Sequence, residues 1–154
     1  MNALTLLKED HARFKKMLAE GEQTTERAEK TRAELFERLK SDLEVHERIE
    51  EEVLYPALKS HPKSEDIAYE GFEEHHVVDT IFSELESTPV DSPEWTAKFK
   101  VAKENIEHHI EEEEGEMFKT TRQLFSDDEL ERMGQRMQEI KDLAKQVEAT
   151  SPAS

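Results

Sequence analysis

The sequence contains no cysteine and little glycine or proline, and each absence narrows the kinds of fold and site available. Without cysteine, the chain can form no disulfide framework, no thiolate metal site and no cysteine nucleophile. Its 154 residues include only 4 glycines and 5 prolines, which argues against a turn-rich β fold. Charged residues make up 38% of the chain and apolar residues 34%, a balance that favours long amphipathic helices.

Long apolar runs are also missing. No segment approaches the roughly 18 apolar residues of a membrane span, and the N-terminus lacks the basic and apolar regions of a signal peptide. These absences predict a cytoplasmic protein with no membrane partner. The net charge of −17 disfavours binding to nucleic acid and is compatible with cations as ligands.

Apolar residues recur at alternating intervals of three and four, as in helices that pack together in a bundle. The first two helices are predicted at about residues 2–22 and 25–58. Capping patterns predict that the third begins at Ser64, the fourth at Ser92 and the fifth at Ser126.

These helices predict an all-α fold in a single domain of residues 1–150. Four of them are expected to form an up-down-up-down four-helix bundle over residues 2–125. The C-terminal helix, over residues 126–149, would cover the bundle or a partner. Residues 151–154 are expected to be a frayed end.

His46-x-x-x-Glu50 and His109-x-x-x-Glu113 are two copies of one motif. Residues four apart lie on one face of a helix, so each copy directs an imidazole and a carboxylate the same way. Both copies lie on the apolar stripes of their helices. In the fourth helix, the stripe passes through His109, because the alternative phase through His108 is less apolar. The motif is therefore predicted to face the core of the bundle.

A lone histidine lies on the apolar stripe of the helix that precedes each motif. The interval from His11 to His75 is nearly the same as the interval from His46 to His109. The phase through His75 passes apolar positions, whereas the phase through the neighbouring His76 is largely polar. The chain is therefore two helical hairpins of similar plan, whose pairing would bring four histidines and two glutamates into one layer.

Four imidazoles and two carboxylates in one layer of a small core predict a metal site. A buried carboxylate without a partner costs several kcal/mol or takes up a proton. Ligands without sulfur suit iron, manganese or zinc, and six of them exceed the four that a tetrahedral zinc ion takes. We therefore expect a dinuclear centre, with iron or manganese favoured over a single zinc ion. The predicted ligands are His11, His46, Glu50, His75, His109 and Glu113.

Two further carboxylates are weaker candidates as ligands. Asp79 lies four residues after His75 and could coordinate the same ion, although a helix with Val78 facing the core leaves Asp79 at the edge. Glu47 follows His46 and could coordinate an ion or accept a hydrogen bond from a ligand.

The surroundings of the metal pair can be predicted from the same stripes. In the acidic run of residues 111–114, only Glu113 lies on the stripe, and the others are expected in solvent. An apolar pocket beside the metal pair is expected to be lined by Phe14, Ile49, Phe82 and Ile110.

A lone histidine followed by His-x-x-x-Glu, present twice, resembles the signature of the hemerythrin-like family, the HHE cation-binding domains. The two copies are His11 with His46-x-x-x-Glu50 and His75 with His109-x-x-x-Glu113, within residues 2–125. The resemblance implies a four-helix bundle with a non-haem di-iron centre. It also implies that Glu50 and Glu113 bridge the irons together with an oxo or hydroxo group, and that the four histidines are terminal ligands. The segment from Ser126 resembles the C-terminal helix common in bacterial members.

The sequence departs from the oxygen carriers of that family at the third helix. The carriers have a fifth histidine where this chain has Asp79, a difference that argues against a carrier's reversible storage of O2. The resemblance implies a protein, rather than a dedicated enzyme, that binds O2 or a related diatomic or peroxide for sensing, storage or stress protection.

Two other functions stay open at this point. The same ligands would serve a di-iron enzyme with peroxidase-like, catalase-like or nitric-oxide-handling activity. An acidic helical interaction module with a structural metal would instead bind a protein partner. In either case, a partner or a second copy of the chain would bind through the C-terminal helix.

Overall fold

The computed structural model describes residues 1–150, which fold into α-helices joined by short connections. The α-helices are α1 Ala3–Glu22, α2 Glu29–Ile49, α3 Tyr55–Lys59, α4 Glu65–Glu86, α5 Pro93–Glu112, α6 Phe118–Leu124 and α7 Asp127–Thr150. Two π-helical turns, Glu50–Leu54 and Glu113–Met117, join α2 to α3 and α5 to α6. The expected frayed end, residues 151–154, lies outside the described residues.

Four helical rods form a bundle, and a fifth helix packs on its side. The rods are α1, α2 continued by α3, α4, and α5 continued by α6. Helix α1 packs against α2, α5 and α7, and α4 packs against α3 and α5. The predicted all-α fold, a four-helix bundle with an additional C-terminal helix, is confirmed. No helix within residues 1–150 is long and apolar enough to cross a membrane.

Side-chain caps mark the starts of α1, α5 and α7. The Ser92 hydroxyl accepts a hydrogen bond at 3.2 Å from an amide in the first turn of α5. Ser126 and Glu129 cap each other reciprocally at the start of α7, as the sequence predicts. Ser64 precedes α4 but does not cap it, because its hydroxyl donates to the Leu58 carbonyl at 2.6 Å.

The second rod begins at Glu29, four residues later than the sequence predicts. A buried arginine explains the delay, because the Arg32 guanidinium donates to the Thr24 hydroxyl at 2.9 Å and to the Thr24 carbonyl at 3.0 Å. The Ala28 amide also donates to the Thr25 carbonyl at 2.9 Å and closes a turn. These bonds make the segment a connection instead of a first helical turn.

The two π-helical turns begin at Glu50 and Glu113, the carboxylates of the repeated motif. In each turn, an amide five residues later donates to the carbonyl of the glutamate. A π turn holds more residues than an α turn, so the buried stripe shifts by one residue after it. An α-helical period continued from Glu50 and Glu113 predicts that Ala57 and Thr120 are buried. The residues buried there are instead Leu58 and Thr121, each one position later.

Apolar side chains form two core clusters, one on each side of the histidine layer along the bundle axis. The first core cluster includes Phe14 and Phe82, and the second includes Leu54. From α7, Leu130 and Met137 belong to the second core cluster. Leu143, farther along the predicted apolar face of α7, is 55% exposed. The C-terminal helix therefore covers the bundle mainly with its first half.

Helix α7 approaches the N-terminus closely at Gly134. A Cβ atom at this position would collide with the backbone of Met1 and Ala3, and the approach therefore requires glycine. This contact fixes α7 beside α1 and so beside the histidine layer.

Candidate metal centre

The six predicted ligands are buried between the two core clusters. Their exposed fractions are His11 1%, His46 3%, Glu50 0%, His75 4%, His109 8% and Glu113 1%. The neighbouring His76 and His108 are exposed. The structure therefore brings together one histidine from each of α1, α2, α4 and α5 and one carboxylate from each π-helical turn.

The Nε2 atoms of the four histidines face the two carboxylates. The nearest pairs are His11 with Glu113 at 3.1 Å, His46 with Glu50 at 3.2 Å, His75 with Glu50 at 3.0 Å and His109 with Glu113 at 3.0 Å. Each carboxylate therefore contacts the histidine of its own motif and the lone histidine of the other hairpin.

These contacts form two overlapping groups. In each group, the ligand atoms lie within 4.8 Å of one another. The first position consists of His11, His46, Glu50 and Glu113. The second position consists of Glu50, His75 and His109. Glu50 belongs to both positions, which is the placement that a bridging carboxylate requires.

Each of the four histidines also donates a hydrogen bond from Nδ1–H to a carboxylate of its own. The pairs are His11 with Glu114 at 2.6 Å, His46 with Asp10 at 2.9 Å, His75 with Glu51 at 2.9 Å and His109 with Glu74 at 3.1 Å. A carboxylate on Nδ1 fixes the tautomer and the orientation of the ring, which leaves the Nε2 lone pair for a metal ion. All four imidazoles are thus oriented to coordinate through Nε2.

The helical stripes do not identify these four carboxylates, and they place Glu114 in solvent. Each carboxylate adjoins a predicted ligand in the sequence, and together they follow the internal repeat. Asp10 and Glu74 precede the lone histidines His11 and His75, and Glu51 and Glu114 directly follow the motif glutamates. The four carboxylates occupy equivalent positions in the two repeats, and this repetition is the sequence pattern that predicts them.

Tyr55 places a hydroxyl group between the two glutamates and His75. Its oxygen lies 3.0 Å from Glu113 Oε2, 3.4 Å from Glu50 Oε1 and 3.3 Å from His75 Nε2. Burial, followed by the charges of Glu113 and Glu50, raises the pKa of Tyr55 well above its usual value. The hydroxyl therefore keeps its proton and acts as a donor to the carboxylates.

The electrostatics of the centre favour positive charge. Burial alone would lower the pKa of His46, but the charge of Glu50 and the hydrogen bond to Asp10 raise it to about 9. Hydrogen bonds to Glu50 and Glu51 likewise outweigh burial and raise the pKa of His75 to about 10. Burial would raise the pKa of Glu50, but the neighbouring histidines, led by His46, hold it well below its usual range.

Four polar atoms in the centre make no hydrogen bond of favourable geometry with any of residues 1–150, although Nε2 of two histidines lies close to Glu113. They are His11 Nε2, His109 Nε2, Glu50 Oε2 and Glu113 Oε1. Buried polar atoms are nearly always paired, so four such atoms in one small volume mark a ligand site. Nitrogen and oxygen donors suit iron, manganese or zinc, and these residues therefore fit a metal ion.

The weaker candidates, Glu47 and Asp79, lie on the outer side of His75. Glu47 is buried, and its Oε2 is 3.8 Å from His75 Nδ1, the nitrogen that faces away from Glu50. Burial and a hydrogen bond to the exposed Asp79 raise the pKa of Glu47 to about 9. Neither carboxylate belongs to the two groups around Glu50, and a ligand role for either stays a prediction.

A small cavity of about 20 Å³ lies against all four histidines. Phe14 and Ile110 line it, as the sequence predicts. Ile49 instead packs in the second core cluster, and Phe82 lines a separate cleft between α2 and α4. Both side chains are on the predicted face of their helices, but their positions along the bundle axis place them away from the cavity.

Comparison with known proteins gives the same family as the ligand pattern. The family model of the Hemerythrin HHE cation binding domain matches residues 2–121. The chain belongs to this family. The predicted resemblance to the hemerythrin-like family is thus confirmed, and the buried histidine–glutamate cluster makes the chain a metal-binding hemerythrin-like protein.

The relatives of this HHE protein include mycobacterial proteins. It is 30% identical over 138 residues to "Uncharacterized protein Rv2633c" of Mycobacterium tuberculosis (strain ATCC 25618 / H37Rv), covering 89% of this chain and 83% of the relative. The same values hold for "Uncharacterized protein Mb2666c" of Mycobacterium bovis (strain ATCC BAA-935 / AF2122/97). A crystal structure of a Hemerythrin HHE cation binding domain-containing protein from Mycobacterium kansasii, an Rv2633c homolog, superposes with a TM-score of 0.78 at 30% identity. That match covers 98% of this chain and 94% of the other.

Proposed function

We propose that this HHE protein holds two iron ions between Glu50 and Glu113 and binds O2, or a related diatomic or peroxide, beside them. The sharing of Glu50 between two ligand groups carries the proposal, because a single ion needs only one of the two histidine pairs. The nitrogen and oxygen donors support iron, with manganese or zinc as alternatives. The proposed role is sensing, storage or stress protection in the cytoplasm.

The side chains of the protein contribute orientation, hydrogen-bond donation and exclusion of water. An iron pair, when bound, supplies electrons and a coordination position for a small oxidant. The four carboxylates on Nδ1 hold the imidazoles in place, and Tyr55 holds Glu113 through its hydroxyl at 3.0 Å. Phe14 and Ile110 give the adjoining cavity an apolar wall, which favours a small uncharged ligand over water.

A di-iron enzyme that consumes peroxide is the second candidate, and the Tyr55 hydroxyl favours it. A peroxide at the centre would accept a hydrogen bond from this hydroxyl, which keeps its proton and lies 3.0 Å from Glu113. A catalase-like reaction converts two hydrogen peroxide molecules to two waters and one O2, so no other reductant is needed. O2 evolution measured with an electrode tests this activity, and a rate no faster than that of free iron would exclude it.

Metal analysis combined with a visible spectrum tests the leading proposal. Protein purified in air is expected to contain about two irons per chain and to show charge-transfer absorption from oxygen ligands to iron. About one zinc per chain with a featureless visible spectrum would refute the di-iron proposal. Binding of O2 to the reduced protein, followed by the same spectrum, then separates a binding protein from an inert structural centre.

A further inference from the structure

A cleft of about 580 Å³ opens between α2 and α4, next to the small cavity that lies against the four histidines. Leu43, Glu47 and Val78 line both the cleft and the cavity. These three residues, which we term the cleft wall, therefore separate the solvent in the cleft from the metal centre by a single layer of side chains.

The internal repeat provides a comparison within the same molecule. The equivalents of Leu43, Glu47 and Val78 in the repeat are Ile106, Ile110 and Phe14, and they line the opposite side of the same cavity. The exposed fractions are 6%, 8% and 6% in the cleft wall, against 3%, 2% and 1% for these equivalents. The cavity is thus closed by an aromatic ring on one side and by the smaller valine on the cleft side.

We propose that the cleft wall is the route by which a small ligand reaches the metal centre, and that the acidic cleft favours neutral ligands over anions. This inference rests on the proposed binding of a small molecule at the centre. It assigns Val78 the role of controlling how fast a small ligand enters the cavity from the cleft.

The charges along the cleft support selection of neutral ligands. Lys40 forms an ion pair with Glu86, and Arg48 pairs with Glu52 at 3.2 Å, so these charges largely cancel. Glu44 and Asp79 also line the cleft. Among residues 1–150, neither lies within ion-pair distance of a lysine or arginine. The remaining negative charge repels an anion such as azide but not a neutral molecule such as O2, nitric oxide or hydrogen peroxide.

The size of the cavity restricts the ligand further. A volume of about 20 Å³ is little more than the roughly 10–15 Å³ that one water molecule requires. A molecule with two or a few atoms can enter with a small displacement of Val78 or Leu43. Larger organic peroxides would require the cleft wall to open.

Substitutions at Val78 test the route in iron-loaded protein. Val78→Phe copies the closed side of the repeat, where Phe14 stands, and should slow the association of azide and of nitric oxide at least about tenfold. Val78→Ala thins the wall and should raise both rates. Ser83→Phe is the matched control, because Ser83 lines the cleft but not the cavity. Stopped-flow absorbance measures all three variants.

Ionic strength tests the charge of the cleft. Azide association should become faster as salt screens the repulsion, whereas nitric oxide association should not change. Glu44→Gln should raise the azide rate at low salt and leave the nitric oxide rate unchanged. Glu104→Gln removes the same charge from an exposed position outside the cleft and should have little effect.

Unchanged rates in a Val78→Phe protein that keeps its helical circular dichroism and its iron would overturn the access route. The route would also be overturned if the control Ser83→Phe slowed the association of both ligands as much as Val78→Phe does. If Val78→Phe does not fold, Val78→Ala carries the test, and an unchanged rate there counts against the route. Failure of the proposed function is distinct, because wild-type protein loaded with iron would then bind neither azide nor nitric oxide.

Discussion

The Tyr55 hydroxyl donates a hydrogen bond to Glu113 at 3.0 Å across the two hairpins, whereas Phe118, its equivalent in the repeat, stacks on His11 and has no hydroxyl. The two candidate metal positions therefore offer the same kinds of side chain but differ in one O–H donor. Because this donor contacts Glu50 and His75 as well, it lies at the second position.

Replacing Tyr55 by phenylalanine should preserve the fold but destabilise the metal-free protein by about 1–3 kcal/mol. The expected cause is the loss of a donor to a buried carboxylate. Urea unfolding measures the difference. Tyr69→Phe is a matched control, because Tyr69 is 47% exposed and no change in stability is expected there. Equal stability of the two variants would show that the Tyr55 hydrogen bond contributes little.

Adjacent histidines allow a controlled test of the ligands. His75→Ala should lower the metal content per chain, because His75 Nε2 is 3.0 Å from Glu50. His76→Ala should not, since His76 is exposed. His109→Ala and His108→Ala form a second pair with the same expectation. Elemental analysis after identical purification measures all four variants, and full metal content in His75→Ala or His109→Ala would contradict the ligand assignment.

The pH should act on the metal-free protein through the raised pKa values of His46, about 9, and His75, about 10. Both exceed the value of about 6.5 for unfolded histidine, so bound protons stabilise the folded state fully below about pH 6.5. This contribution is lost as the pH rises through about 9 to 10. Urea unfolding should therefore give a lower free energy of unfolding at about pH 9 than at about pH 6.

The metal-loaded protein provides the control for this pH effect. A metal ion displaces the protons from the imidazoles, so its binding should strengthen as the pH rises and the loss of stability should be reduced. The same downward trend with and without saturating metal would contradict coordination by these histidines.

Lys141 of α7 links the C-terminal helix to the centre through an ion pair with Asp10. Burial would raise the pKa of Asp10, but the hydrogen bond to His46 and the neighbouring Lys141 lower it to about 2. Ionised Asp10 therefore contributes stability that is present above about pH 3.9 and is lost as the pH falls through about 2. Lys141→Met should raise the pKa of Asp10.

Acid unfolding followed by circular dichroism checks this expectation. The midpoint of Lys141→Met should move to higher pH than that of the wild type. Lys145→Met, at an exposed position on the same helix, is the matched control. Equal midpoints in the two variants would show that Lys141 does not support Asp10.

Helical phase distinguishes the histidines that the bundle buries from their exposed neighbours. One residue turns the side-chain direction by about 100°, so His75 and His76 point to different environments, and so do Val78 and Asp79. The sequence therefore predicts the burial of the six candidate ligands and the order of the helices. It does not reveal how far along the bundle axis each side chain lies, and this distance separates Ile49 from the cavity.

Contacts between helices cannot be predicted from the pattern of one helix. Glu114 contacts His11 although the two residues are far apart in the sequence, and the contact depends on how α1 packs against the fourth rod. The apolar stripe does not predict the π-helical turns either, because it is compatible with an α-helical period that continues after Glu50 and Glu113. The resulting shift explains why Leu58 is buried where Ala57 is predicted.

Each hairpin carries one copy of the candidate ligands and their supports: a lone histidine, a His-x-x-x-Glu motif and two carboxylates that accept hydrogen bonds from Nδ1. Two identical hairpins related by a twofold axis would assemble the same set, so the chain has the form of a fused homodimer. In a homodimer, each mutation appears in both halves. Fusion removes this restriction, and Tyr55 can differ from Phe118 while Val78 differs from Phe14. One half of the molecule can then evolve ligand access and a hydrogen-bond donor at the centre while the other half retains its packing.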